Sequence, residues 1–240
     1  NKGDLKTPFR LTTPAAHTSL FNLSGTLAKV SYNVSFTSRY ANGLSAVEPP
    51  QDASQAFLSD TYSQYQARAR VRYQFNKNIS YSHNFSLGKV KADFDNFDYT
   101  DAANQNITKQ LTTGGQLLWK YKKGMFVVND SYTFIEREIF SNFPTRFETK
   151  AYGLDAYTSY NILENLTTIV GLGHNSSSFR SFSLPFGAAQ LVKDLDDSIA
   201  NFNIVDPYIN FNYISSFGLN VNAGARLNIH NLYGSHAVYN

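Results

Sequence analysis

Three arginines and four aspartates carry the spacing in this chain that invites chemistry. Arg68, Arg70 and Arg72 recur at every second position, so in an extended strand, where successive side chains point to opposite faces, their guanidiniums share one side. Such a column of permanent cations suits carboxylates or phosphates. Asp93, Asp95, Asp98 and Asp101 crowd a short acidic stretch, with Glu48 and Asp52 in an earlier one. Hard cations such as calcium need several converging oxygens, which an aspartate-rich loop can supply, although the spacing is not that of an EF-hand. A solvated acidic loop is the plainer alternative. Phe94, Phe97, Tyr99, Phe143, Phe179, Phe182 and Phe186 form a third group, with Pro185-Phe186-Gly187 reading as a turn. Apolar side chains on exposed loops contact a large ligand or a partner protein, or pack on one another. Catalytic chemistry has no comparable signal. The five histidines lack metalloprotease spacing, no serine sits in a Gly-x-Ser-x-Gly elbow, and there is no cysteine. No enzyme and no certain cofactor is expected; calcium in the loops is the one cofactor the acidic stretch suggests.

The elements that position these residues show in strict alternation. Tyr65, Ala67, Ala69, Val71, Tyr73 and Phe75 interleave with Gln66, Arg68, Arg70, Arg72 and Gln74. Val30 to Phe36, Ile79 to Leu87 and Phe217 to Ile229 repeat the pattern, with Asn, Ser and Gly on the polar positions. Each is a two-faced strand of about 9–13 residues, a length that suits a tilted strand crossing a bilayer. Short polar turns near 27–29, 75–78, 121–124, 161–165 and 214–216 alternate with longer links near 41–61, 93–110, 140–148 and 177–203. The alternation predicts about ten antiparallel strands. Tyr73, Phe75, Trp119, Tyr121, Phe126, Tyr160, Tyr213 and Phe217 stand beside the short turns, where the aromatic girdle of a membrane barrel belongs.

Composition favours that architecture over a soluble β-sandwich. Only 16% of residues are charged, against about 25% in soluble domains, and the polar positions are neutral apart from arginines. No apolar run approaches the roughly 18 residues of a membrane helix. A net charge of +3, scattered along the chain, argues against nucleic acid. The fold class is therefore all-β, an antiparallel transmembrane β-barrel. Its inward face would carry Arg68, Arg70 and Arg72, because a charge facing lipid costs roughly 2–4 kcal/mol near the midplane.

The order of several segments carries a family resemblance. Phe21-Asn22-Leu23-Ser24-Gly25 leads into Val30-Ser31-Tyr32-Asn33-Val34-Ser35-Phe36 and Ala41-Asn42-Gly43-Leu44-Ser45-Ala46; then come Phe57-Leu58-Ser59-Asp60 and the arginine strand. Late in the chain, Ala223-Gly224-Ala225-Arg226 precedes Tyr233-Gly234-Ser235-His236. The whole resembles the barrel of TonB-dependent outer-membrane receptors, most of all their cobalamin-transporter branch. That resemblance implies a barrel of 22 strands around a plug domain and residence in the outer membrane of a Gram-negative bacterium. It implies calcium in extracellular loops. It also implies partners: outer-membrane lipid, the plug and remaining strands, an energy-coupling TonB-type protein reached through the plug, and a large scarce nutrient such as cobalamin, a siderophore, haem or a glycan. Neither a plug nor a full strand set is visible, so residues 19–240 are expected to be a barrel segment. Residues 1–18 would be a leading segment, either the end of a plug-barrel linker or a first strand. The arginine column would pair with acidic plug residues or inward carboxylates of adjacent strands, or attract an anionic ligand. A self-contained small barrel acting as porin, adhesin or outer-membrane protease is the alternative.

Overall fold

A computed structural model describes residues 16–43, 45, 47 and 57–239. They form one antiparallel sheet of twelve strands with no helix among the described residues. In chain order the strands are β1 (Ala16–Leu27), β2 (Val30–Asn42), β3 (Thr61–Gln74), β4 (Ile79–Phe94), β5 (Asn104–Tyr121), β6 (Gly124–Phe140), β7 (Thr145–Leu163), β8 (Leu166–Ser183), β9 (Val192–Leu195), β10 (Asn201–Ile214), β11 (Asn220–His230) and β12 (Gly234–Tyr239). Each pairs with its chain neighbour, except that the short β9 pairs only with β8 and β10 returns to β8. No ladder joins β12 to β1 among the described residues.

Among the described residues every element touches only its ladder neighbours, and no second layer of them covers either face. Val127, 3% exposed, is the only buried large apolar side chain among the described residues, whereas Val71, Phe85, Leu87, Leu172, Ile209 and Val221 stand open. A soluble sandwich would press such a face against a second sheet. Hydrocarbon would hide it from water in a barrel wall. The alternating segments of the sequence lie at the expected places, with the apolar positions on this outer face and Asn, Ser, Gln, Gly and Arg on the inner one.

The short connections fall where the sequence places them. Ala28 and Lys29 join β1 to β2, with Ala28 at φ 50, and Lys122 and Lys123 join β5 to β6. Gly124 starts β6 so close to the Ser159 carbonyl of β7 that a Cβ there would collide with it. Aromatics do line this end. Tyr73 meets Phe75 edge-on at 4.8 Å, Trp119 meets Tyr121 at 6.2 Å, and Tyr121 stacks with Tyr160 at 6.4 Å.

Strand count and strand length differ from expectation. The described residues form twelve strands rather than about ten; β5 has 18 residues and β7 has 19. The links shrink accordingly, that between β6 and β7 to residues 141–144. The ladders continue above the apolar band, where charged, polar and aromatic residues mix on both faces and alternation no longer marks a strand. On the outer face the band stops at Lys89 on β4, Lys109 on β5, Glu136 on β6 and Lys150 on β7. Beyond it runs a chain of ion pairs. Lys109 lies 2.7 Å from Glu136, Arg146 joins Glu136 to Glu148, and Arg180 joins Glu148 at 3.7 Å to Asp197 at 2.5 Å. Polar groups interrupt the band itself in places. His83 is shared by the Tyr81 hydroxyl and Thr113 at 3.0 and 2.8 Å, and Asp130 leans with Tyr81 over the notch at Gly115.

Candidate functional site

Two regions of the inner face gather several chemically active side chains. Register places Arg72 between Ser31 and Ser82, Arg70 between Asn33 and Asn84, and Arg68 between Ser35 and Ser86. The three arginines therefore stand in the expected order on one face of β3, their backbone positions about 7 Å apart, the rise of two strand residues. Arg72 donates to Gln74 at 3.2 Å and to Ser80 at 3.3 Å. No carboxylate lies within ion-pair distance of any of the three among the described residues. Pairing with inward carboxylates of adjacent strands, one of the two plain expectations, finds no partner on β2 or β4, which present only hydroxyls and amides at those positions. Arg68 and Arg70 line a cavity of about 520 Å³ together with Asn22, Asn33, Asn84 and Thr112.

The second region was hidden in the sequence. Asp155 of β7 and Asp206 of β10 both lie opposite Gly173 of β8, so strand register brings together two carboxylates 51 residues apart in the chain. Asp155 accepts a hydrogen bond from the Tyr208 hydroxyl at 2.9 Å, and the Arg226 guanidinium sits 4.9 Å above the Tyr208 ring. Asp206 is 5% exposed, and its Oδ1 has no hydrogen-bond partner. With Asn129, Ser131 and Asn175 these groups line a hollow of about 370 Å³. The alternation of β7 and β10 puts each aspartate on the polar face, but only register puts them together.

At the long-link end the acidic stretch forms a clasp rather than a free loop. Asp93 accepts from Gln105 at 3.0 Å and from the Thr61 backbone and hydroxyl. Asp95 accepts from the Val47 and Ala102 amides at 3.1 and 3.3 Å, and Asp101 from the Leu58 amide at 3.0 Å. Asp98 instead accepts from Thr100, whose hydroxyl and amide hold its carboxyl below the usual range. Asp60, absent from the sequence candidates, completes the group. It is 5% exposed, and burial, then Asp95, Asp93 and Asp101, pushes its carboxyl above the usual range. Among the described residues no set of three or more Asp, Glu or His is arranged to hold a metal ion. Glu48 and Asp52 lie outside the described residues.

Because the folded Asp60 pKa is raised, its proton stabilises the fold at low pH, and that contribution is lost as pH rises through the raised value. Asp60→Asn should therefore make the 57–60 link more resistant to protease at neutral pH, with and without calcium. A loss of protection confined to calcium-containing buffer would assign a cation to the cluster instead.

The aromatic candidates divide. Phe97 and Tyr99, on the β4–β5 link, and Phe186 project into solvent. Ala188 N donates to Pro185 O at 3.0 Å with Gly187 at φ 79, the turn expected at Pro185-Phe186-Gly187. Phe179 and Phe182 are not loop residues, because β8 runs on to Ser183. Phe179 stacks on Phe147 at 5.9 Å, and Arg146 sits 5.2 Å from the Phe182 ring. Phe94 closes β4 and is half-buried.

No protein-family model matches the chain, and no curated protein does. Solved structures do. The chain superposes on the RagAB peptide transporter with a TM-score of 0.60 at 12% identity, covering 93% of this chain and 33% of that one. It superposes on the RagAB peptide importer in the 'closed-closed' state at 0.57 and 12%, covering 92% and 33%. The chain thus spans about a third of the length of the structures it resembles and shares their fold. The likeness is one of fold, and it gives no support to the cobalamin branch that the motifs suggested.

Proposed function

We propose that this chain is part of the barrel wall of a TonB-dependent outer-membrane receptor that takes up peptides, the arginine column drawing in their acidic groups. Its fold likeness to a peptide transporter supports the substrate class. The observation that carries the reading is the uncompensated column itself: three guanidiniums flanked only by neutral donors and acceptors. An extended peptide repeats its side-chain direction every two residues, about 7 Å, the same interval as the column. The hollow of Asp155 and Asp206 supplies the opposite sign on the same wall, so a zwitterionic ligand finds both of its charges matched. Phe97, Tyr99 and Phe186 would make first contact outside. Nothing in this scheme makes or breaks a covalent bond; energy would come from a coupling protein acting on a plug.

The test replaces Arg68, Arg70 and Arg72 with Gln in the intact protein and measures cellular uptake of an acidic peptide and its Gln/Asn counterpart. One lost charge-assisted hydrogen bond is worth about 1.5–3 kcal/mol, tenfold or more in affinity. Uptake of the acidic peptide is expected to fall at least about tenfold, with the neutral one changed less than about twofold. Equal losses for both peptides would show that the column holds part of the receptor itself, the other of the two plain expectations.

A further inference from the structure

The outer face carries a groove just where the apolar band ends. Phe36 of β2 and Tyr65 of β3 stack at 6.5 Å on one side of it, Phe134 of β6 stands on the other, and Ala67, Leu87 and Leu111 make the floor, enclosing about 360 Å³. All six side chains have the outer-face parity of their strands. Ala67 is what makes the groove, since a larger residue there would level the floor with its walls.

Two lysines stand at the upper end. Lys89 and Lys109 line the same groove and lie directly opposite one another on β4 and β5. Like charges directly opposite in a sheet destabilise it. Lys109 is partly compensated, by Glu136 at 2.7 Å and Glu138 at 3.6 Å. Lys89 has neither a carboxylate partner nor another acceptor among the described residues, and Lys91 follows it on the same face. An apolar trough below paired ammoniums, at the height where the band gives way to charge, has the amphiphilic pattern of a phosphate-bearing lipid: acyl chains on Leu87, Leu111 and Phe134, phosphate between the amines.

We infer that this groove is a specific site for a phosphate-bearing lipid of the leaflet at the long-link end, bound through Lys89 and Lys109. The inference rests on the membrane-barrel reading but not on the peptide reading. The phosphate offsets the repulsion between the two ammoniums, and an uncharged lipid with the same chains would leave that repulsion standing.

The experiment uses the intact protein in detergent and native mass spectrometry with three probes: dioleoyl phosphatidic acid, dioleoylglycerol and inorganic phosphate. Phosphatidic acid is expected to bind at least about tenfold more tightly than dioleoylglycerol, and to lose that preference in the Lys89→Gln/Lys109→Gln double variant. Ala67→Trp fills the groove without touching charge and is expected to weaken phosphatidic acid as well, whereas Lys122→Gln, at the opposite end of the sheet, is expected to leave it unchanged. Equal binding of the two lipids, or retention by the double variant, overturns the site. Inorganic phosphate binding as well as the lipid overturns the lipid assignment. Peptide uptake by the double variant is expected to be unchanged, so a failure here and a failure of the peptide reading give different results.

Discussion

Arginine at Ile209 is expected to destabilise the assembled protein by about 2–4 kcal/mol, the cost of a cation facing lipid near the midplane of a barrel, while arginine at the next residue, Asn210, is expected to cost under about 1 kcal/mol. Ile209 lies on the outer face of β10 between Val205 and Tyr213, and is open in the absence of lipid. Asn210 lies on the inner face, where its amide donates to Asn222 at 2.8 Å. The lost amide bond is one neutral pair, and a guanidinium there can reach water. Reversible urea unfolding of the intact protein in lipid vesicles measures both variants. Equal costs would mean that the two faces of β10 see the same surroundings, and the assignment of outside and inside would fail with them.

The second large effect is expected from two glycines on one face of β8, only two residues apart. At Gly171 an added methyl would run into the Tyr208 ring and lie 2.8 Å from Cβ of Tyr157. At Gly173 the nearest atom would be Cβ of Asp206 at 3.4 Å. Overpacking of the first kind costs typically about 1–3 kcal/mol. Here the displaced ring would also give up its hydrogen bond to Asp155 and its place beneath Arg226. Gly171→Ala is therefore expected to lower stability by about 2.5–6 kcal/mol, the overpacking cost plus one charge-assisted bond, and Gly173→Ala by less than about 1 kcal/mol. The same unfolding assay reads both. Adding Tyr208→Ala to Gly171→Ala should relieve the clash, and a double variant no more stable than the single one would remove Tyr208 as its cause.

These effects were unequally visible in the chain. The Ile209/Asn210 contrast follows from local alternation alone, because a strand sends neighbouring side chains to opposite faces whatever it pairs with. The arginine column follows for the same reason. The Gly171/Gly173 contrast cannot be read that way: both glycines have the same parity, and what separates them is that Tyr208 of another strand lies across one and Asp206 beside the other. Phe179 and Phe182 belong to β8 and not to a loop; above the apolar band charged and aromatic residues mix on both faces, so the period-two signal fades before the strand stops. Asp60 is not a site candidate in the sequence, because its neighbours Ser59 and Thr61 say nothing of the three aspartates that the fold brings to it.

Period-two alternation, the scarcity of charge and the position of the short turns were enough to determine a one-layer antiparallel sheet with an oily and a wet face, since each of these depends on residues within a few positions of one another. Register decided everything that needs two distant strands: that no carboxylate answers Arg68, Arg70 and Arg72, that Asp155 and Asp206 share a hollow, and that Lys89 and Lys109 meet above an apolar groove. The pairing of strands depends on how long each link is and where each ladder starts, and a slip of two residues would keep every face while exchanging every neighbour.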